Sequence, residues 1–236
     1  MSASGTGDVI AVDTPWSRAT ISLFGAQVLS FVPVGEDDLL WMSPAPLPPP
    51  AAIRGGVPLC WPWFARQNVP PAAVQHGPAR ISQWRVAARR LNADGEPELS
   101  MRPLEALDPM SVELTITVGR SLRISLSTVN ADRVPRTLTQ ALHTYVRVTD
   151  AERTAVTGLD GLPYIDSRQG GAPARLLLDL ADQRQRELGA PRLRVEVALD
   201  RVERTLQVAL HDRELARQQR QPRVEQAQLE VLAQEE

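Results

Sequence analysis

The sequence predicts a mainly β protein, built as a large antiparallel β-sandwich. Two observations carry that expectation. Within Val112 to Thr128, apolar and polar residues alternate from Val112 to Val118 and again from Leu122 to Leu126, the period of a strand with one face on a core. Glycine- and proline-rich breaks punctuate the chain, which reads as strands and turns through about residue 166. With 236 residues and 43% apolar content the chain can bury one large core.

In chain order, Ala19 to Val34 forms a β-like run broken at Phe24-Gly25. Ser43-Pro44-Ala45-Pro46-Leu47-Pro48-Pro49-Pro50 cannot hold a sheet ladder, because proline donates no backbone hydrogen bond, and must be a loop. It leads into Ile53-Arg54-Gly55-Gly56-Val57-Pro58-Leu59-Cys60-Trp61-Pro62-Trp63-Phe64, dense in glycine, proline and large aromatics. Such a segment is either an ordered ligand-lining loop or a packed corner. Further on, Val112, Leu114, Ile116 and Val118 alternate with polar neighbours, Gly119-Arg120 makes a turn, and Leu122, Ile124 and Leu126 alternate again. This is the best hairpin in the sequence. Around His143, strand spacing sends Leu142, Val146 and Val148 to one face and Ala141, His143, Tyr145 and Arg147 to the other, less apolar one.

After Asp166 the character changes. Tyr164 is the last aromatic residue, and the tail is rich in Arg, Gln, Glu and Leu. Leu176, Leu180 and Leu188, and again Val202, Leu206, Ala209 and Leu210, keep helix-compatible spacing. Residues 167–236 are therefore expected to be helical or poorly ordered, except for a short alternating piece, Leu193-Arg194-Val195-Glu196-Val197.

The net charge is −2, so nothing electrostatic points to nucleic acid or an anionic membrane as partner. No apolar run approaches the roughly 18 residues of a membrane span, and the N-terminus lacks the basic and apolar regions of a secretory signal. The single cysteine, Cys60, excludes an intrachain disulfide framework and fits a reducing cytoplasm, with a buried apolar role for the thiol itself. All 26 basic residues are Arg, so an Arg at one position is weak evidence that a guanidinium was needed there.

Four segments carry a family resemblance. Gly25-Ala26-Gln27-Val28 through Asp38-Leu39-Leu40-Trp41-Met42-Ser43, the Ile53–Phe64 loop, Gln75-His76-Gly77-Pro78-Ala79-Arg80, and Gln140-Ala141-Leu142-His143-Thr144-Tyr145 resemble, in that order, the hexose-6-phosphate mutarotases. Pro78 stands where that family has an aromatic residue. The resemblance covers about residues 20–166. It implies a galactose-mutarotase-like supersandwich, an isomerase that needs no metal or cofactor, and a hexose 6-phosphate as substrate; the cytoplasm is the expected compartment, and the oligomeric state stays open, with a monomer as the default expectation.

Mutarotation opens a hemiacetal ring and recloses it on the other face, so one acid and one base must act across the sugar. The resemblance makes His143 the acid at the ring oxygen. It makes Arg54, Gln75 and Arg80 substrate contacts, with His76 beside them either as a further contact or as a brace for the loop. Arg suits a phosphate because its planar fork binds two oxygens at once. Taken alone, His143 reads first as an ordinary half-buried histidine, and each Arg can be a surface residue beside a turn. The family's sugar-binding aspartate and catalytic glutamate have no matching motif. Asp160 and Asp166 read as turn residues, and Glu187, Glu196, Glu203 and Glu214 lie in no such context. Residues 167–236 thus read as a replaced terminus, an extreme divergence or a reading-frame artefact. Two other functions stay open: a non-catalytic sugar-phosphate binding protein, and an interaction protein that uses a helical tail.

Overall fold

The strands predicted by alternation are present in the computed structural model, which describes residues 8–148 apart from 67, 68, 132, 133 and 135, and beyond them only the strands β10 to β15. They run β1 (Val9–Asp13), β2 (Ser17–Ser22), β3 (Val28–Pro33), β4 (Leu59–Cys60), β5 (Trp84–Leu91), β6 (Pro97–Pro103), β7 (Ser111–Val118) and β8 (Leu122–Val129). Then follow β9 (Leu138–Val148), β10 (Ala155–Thr157), β11 (Pro163–Asp166), β12 (Ala172–Arg175), β13 (Arg192–Asp200), β14 (Thr205–Asp212) and β15 (Glu225–Glu235). The helical content of the described residues is one 3-10 turn, Ala79–Ile81. Among them no helix is long and apolar enough to cross a membrane.

A seven-stranded sheet in the order β10-β13-β14-β8-β7-β6-β5 faces smaller sheets of order β1-β2-β3 and β15-β9-β4, with β11-β12 as a separate pair. Every pairing is antiparallel except β10 with β13. The Val112–Thr128 hairpin forms as its pattern requires, with Val118 opposite Leu122 and Leu114 opposite Leu126. Its apolar set, Val112, Leu114, Ile116, Val118, Leu122, Ile124 and Leu126, is buried together with Ile21 and Phe31 of the facing sheet and Leu142 of β9. Each such side chain stabilises the fold by roughly 1.5–3 kcal/mol relative to exposure. The predicted break at Phe24-Gly25 falls between β2 and β3, and no strand crosses the proline loop.

The tail departs from expectation. Thr205–Asp212, spaced to suit a helix, is strand β14 between β13 and β8, and Glu225–Glu235 is strand β15 beside β9. Leu206, Val208 and Leu210 also repeat at period two, and the register sets them opposite Leu126, Ile124 and Leu122. A ready apolar edge on β8 decides between the two periods, because pairing there satisfies the backbone and sets the alternating positions opposite the apolar ones of β8. The predicted piece Leu193–Val197 lies inside β13. Residues 176–191 and 213–224, part of the same helical expectation, lie outside the described residues.

Candidate active site

The site assembles on β9 and on the loop that crosses it. The β9 strand lies between β15 and β4, and its two faces are both covered: Leu142 on one is 1% exposed and His143 on the other 5%. His143 is thus more enclosed than its half-polar strand face suggests. The Ile53–Phe64 loop supplies β4, whose Leu59 and Cys60 pair with Leu142 and Ala141. It passes a cis Trp61–Pro62 peptide and delivers Phe64 beside His143, with ring centroids 6.1 Å apart. The Phe64 N–H donates to Thr139 Oγ1 at 2.9 Å, which ties the loop to β9.

Deep under the loop, the Trp61 indole N–H donates to Thr128 Oγ1 at 2.9 Å, and that hydroxyl donates to Gln140 Oε1 at 3.0 Å. All three residues are buried. A buried indole N–H without an acceptor would be costly, so this chain fixes the loop's position over β8 and β9.

The next turn brings His76. Its backbone is left-handed, with φ of 66°, and Gly77 follows at 74°. Gly77 is required there, because a Cβ would overlap the Trp61 carbonyl oxygen. His76 Nδ1 accepts a hydrogen bond from the Ala65 N–H at 3.1 Å, so its neutral ring carries the proton on Nε2. The ring lies 5.7 Å from that of His143 and 4.9 Å from Phe64. Burial, then the Arg80 guanidinium, then His143 push the His76 pKa down from 6.5 to about 4. His76 is therefore a neutral hydrogen-bond donor at physiological pH.

Arg80 sits in the 3-10 turn. Gly25 lies beneath it, where a Cβ would come within 2.7 Å of the Arg80 carbonyl oxygen. The Arg80 Nε is buried and makes no hydrogen bond among the described residues. Arg54 is exposed, next to Gly55 and Gly56. Its loop is anchored from below by fully buried Gln27, whose Nε2 donates to the Gly55 carbonyl at 2.6 Å. Gln75 is also exposed, one residue from His76. The structure therefore brings His143, His76 and Arg80 together, with Arg54 and Gln75 on outer loop positions.

Sequence reasoning put Tyr145 on the His143 face but did not foresee the partner that stacks on it. Trp41 stacks on Tyr145 at 5.8 Å, and Tyr145 lies 5.0 Å from His143, so a row of rings lines the β9 face. Of the glutamates weighed in the tail, Glu196 lies in β13, opposite Ala209, and Glu187, Glu203 and Glu214 lie outside the described residues. Asp160 lies outside them too, whereas Asp166 ends β11, opposite Ala172. Glu230, not weighed, holds the position on β15 directly opposite His143. Among the described residues no group of His, Cys, Asp and Glu is arranged to hold a metal ion.

Comparison with known proteins bears on the family and the fold. The family model for aldose 1-epimerase matches residues 8–215, well beyond Asp166, where the resemblance read from the sequence stops. A protein of Escherichia coli K12 provisionally named glucose-6-phosphate 1-epimerase is 37% identical over 169 residues, which are 67% of this chain and 54% of that protein. A crystal structure of a provisionally assigned mutarotase from Salmonella typhimurium superposes with a TM-score of 0.61 at 30% identity, covering 72% of this chain and 58% of that one. A Synechocystis protein shares the fold at 18% identity, with a TM-score of 0.57 over 89% of this chain and 87% of its own. The chain spans about half the length of the curated relatives it matches.

Proposed function

The chain belongs to the aldose 1-epimerase family, and from that premise we propose that it interconverts the α and β anomers of a phosphorylated aldohexose, as a hexose-6-phosphate 1-epimerase. The observation that carries the reading is the meeting of His143, His76 and Arg80 under one loop. Ring opening needs a proton delivered to the ring oxygen as the anomeric hydroxyl loses one. His143 is the acid in this reading, enclosed on β9 where water competes little. His76, neutral and fixed in its tautomer by Ala65, donates from Nε2 to a sugar oxygen without adding charge beside the acid.

Arg80, with a buried N–H unmatched among the described residues, and Arg54 on its exposed loop are the phosphate ligands, and Gln75 meets sugar hydroxyls. Glu230 holds the register position opposite His143 on the neighbouring strand, and in this reading it takes the role of base at the anomeric hydroxyl. The reading of a helical recruiting tail is not supported over Arg192–Asp200, Thr205–Asp212 and Glu225–Glu235, which are strands.

The test is the relaxation of freshly dissolved α-glucose 6-phosphate, followed by polarimetry or by an anomer-specific dehydrogenase. The expected result is anomerisation faster than buffer, reduced about 10²-fold or more by His143→Ala. A chain that binds the sugar phosphate and leaves the anomerisation rate at the buffer value would replace this reading by that of a binding protein.

A further inference from the structure

Five tryptophans occur in the chain, and four have evident structural work. Trp61 and Trp84 are core residues with bonded indole N–H groups. Trp63 donates to the Val74 carbonyl at 2.8 Å, and Trp16 lies under the Arg120 guanidinium at 5.0 Å. Trp41 is different. It is half-buried, its indole N–H has no acceptor among the described residues, and it is held in place by its backbone. The Trp41 N–H donates to the Tyr145 carbonyl at 3.0 Å, and its own carbonyl accepts from Gly56 at 2.8 Å. Two positions on, the Ser43 N–H donates to the Arg54 carbonyl at 3.1 Å.

These bonds put Trp41 between two groups already assigned. On one side, Tyr145 stacks on it at 5.8 Å and passes the contact to His143 at 5.0 Å. On the other is the loop that carries Arg54. Neighbouring Leu40 is buried in the core, so strand alternation sends Trp41 to the opposite face, which is the face of His143. A hexose 6-phosphate held with its phosphate toward Arg54 and its ring oxygen at His143 must cross Trp41.

We propose that Trp41 is a specificity-determining residue, a platform on which the apolar C–H face of the pyranose ring stacks between the phosphate ligand and the acid. The proposal deepens the mutarotase reading and rests on it. A rigid ring, stiffened by Tyr145 and by two backbone hydrogen bonds, binds a sugar face at little cost in side-chain entropy, and its free indole N–H can meet a hydroxyl at the ring's rim. Because the platform touches the ring and not the phosphate, it selects sugar phosphates over phosphate itself.

The experiment is calorimetric titration of the full chain and of Trp41→Leu and Trp41→Phe with glucose 6-phosphate and with inorganic phosphate. Trp41→Leu is expected to weaken glucose 6-phosphate by roughly tenfold or more while inorganic phosphate stays within about twofold. Trp41→Phe, which keeps a ring on Tyr145, is expected to recover most of the loss. In anomerisation kinetics the Leu variant should raise KM far more than it lowers kcat. Unchanged affinity for glucose 6-phosphate in Trp41→Leu overturns the proposal, and so does an equal loss for both ligands, which marks a merely structural role. A wild-type chain with no affinity for glucose 6-phosphate overturns the mutarotase reading itself, and this inference with it.

Discussion

Replacing Thr128 by Val removes one hydroxyl and leaves the shape of the side chain nearly unchanged. That hydroxyl is the acceptor for the Trp61 indole N–H at 2.9 Å and the donor to Gln140 Oε1 at 3.0 Å, in a part of the core where Trp61 has no solvent exposure. The indole N–H, left buried and unmatched, costs about 1–3 kcal/mol, and the lost bond to Gln140 about 0.5–1.5 kcal/mol more. The added methyl returns about 0.8 kcal/mol. The net loss should be about 1–3 kcal/mol, a sizeable part of the 5–15 kcal/mol typical of a domain. Urea unfolding followed by tryptophan fluorescence measures it as a lower midpoint at unchanged slope. The mechanism predicts more than the size. In a Trp61→Phe background no indole remains to be orphaned, so Thr128→Val should then cost at least about 1 kcal/mol less. The same cost in both backgrounds would refute the hydrogen-bond chain as the anchor of the loop.

Three further outcomes are expected. Arg54→Ala and Arg80→Ala should each weaken glucose 6-phosphate about tenfold, a charge-assisted bond contributing about 1.5–3 kcal/mol, with free glucose bound poorly by the wild-type chain; equal affinity for both sugars, by calorimetry, removes the phosphate from the account. The His76 pKa in the fold, about 4, lies below its ordinary 6.5, so between these values the unfolded chain binds more protons and stability falls as pH drops from about 6.5 to about 4; urea midpoints over this range should decline less steeply in His76→Gln. Gly77→Ala forces a Cβ against the Trp61 carbonyl at positive φ, and should cost about 1–3 kcal/mol and lower anomerisation by displacing His76, whereas Gly95→Ala, in open space, should cost only its backbone strain and leave the rate unchanged.

What was legible in the sequence followed from local pattern. Val112 to Thr128 pairs as its alternation requires, because each residue's neighbours at i±2 already name the buried face. The glycine–proline–aromatic loop proved to be the element over His143, and the four resembling segments meet at one site. The aromatic row escaped notice because Trp41 and Tyr145 are far apart in sequence, and only a bridge between Leu40 and Val146 brings them together. The His76–His143 contact depends on a left-handed turn at His76, a backbone state that a non-glycine residue does not advertise. The tail misled for another reason. Leu206, Ala209 and Leu210 fit a helix, while Leu206, Val208 and Leu210 fit a strand, and only the apolar partners on β8 choose between them.

The pairing of β9 on both sides has a consequence for the order in which the protein is made. β4 precedes β9 in the chain, but β15 is synthesised long after it. A nascent chain that has emerged as far as Val148 can dock β9 on Leu59 and Cys60, yet its other edge offers open N–H and C=O groups until Glu225–Glu235 arrives. The strand that carries His143 is thus enclosed late, through a contact of long sequence separation. During that interval it is an exposed, apolar-faced edge of the kind that chaperones hold and that neighbouring nascent chains capture. Slow translation between residues 148 and 225 would lengthen that exposure, so the yield of folded protein should respond to synonymous changes in that stretch.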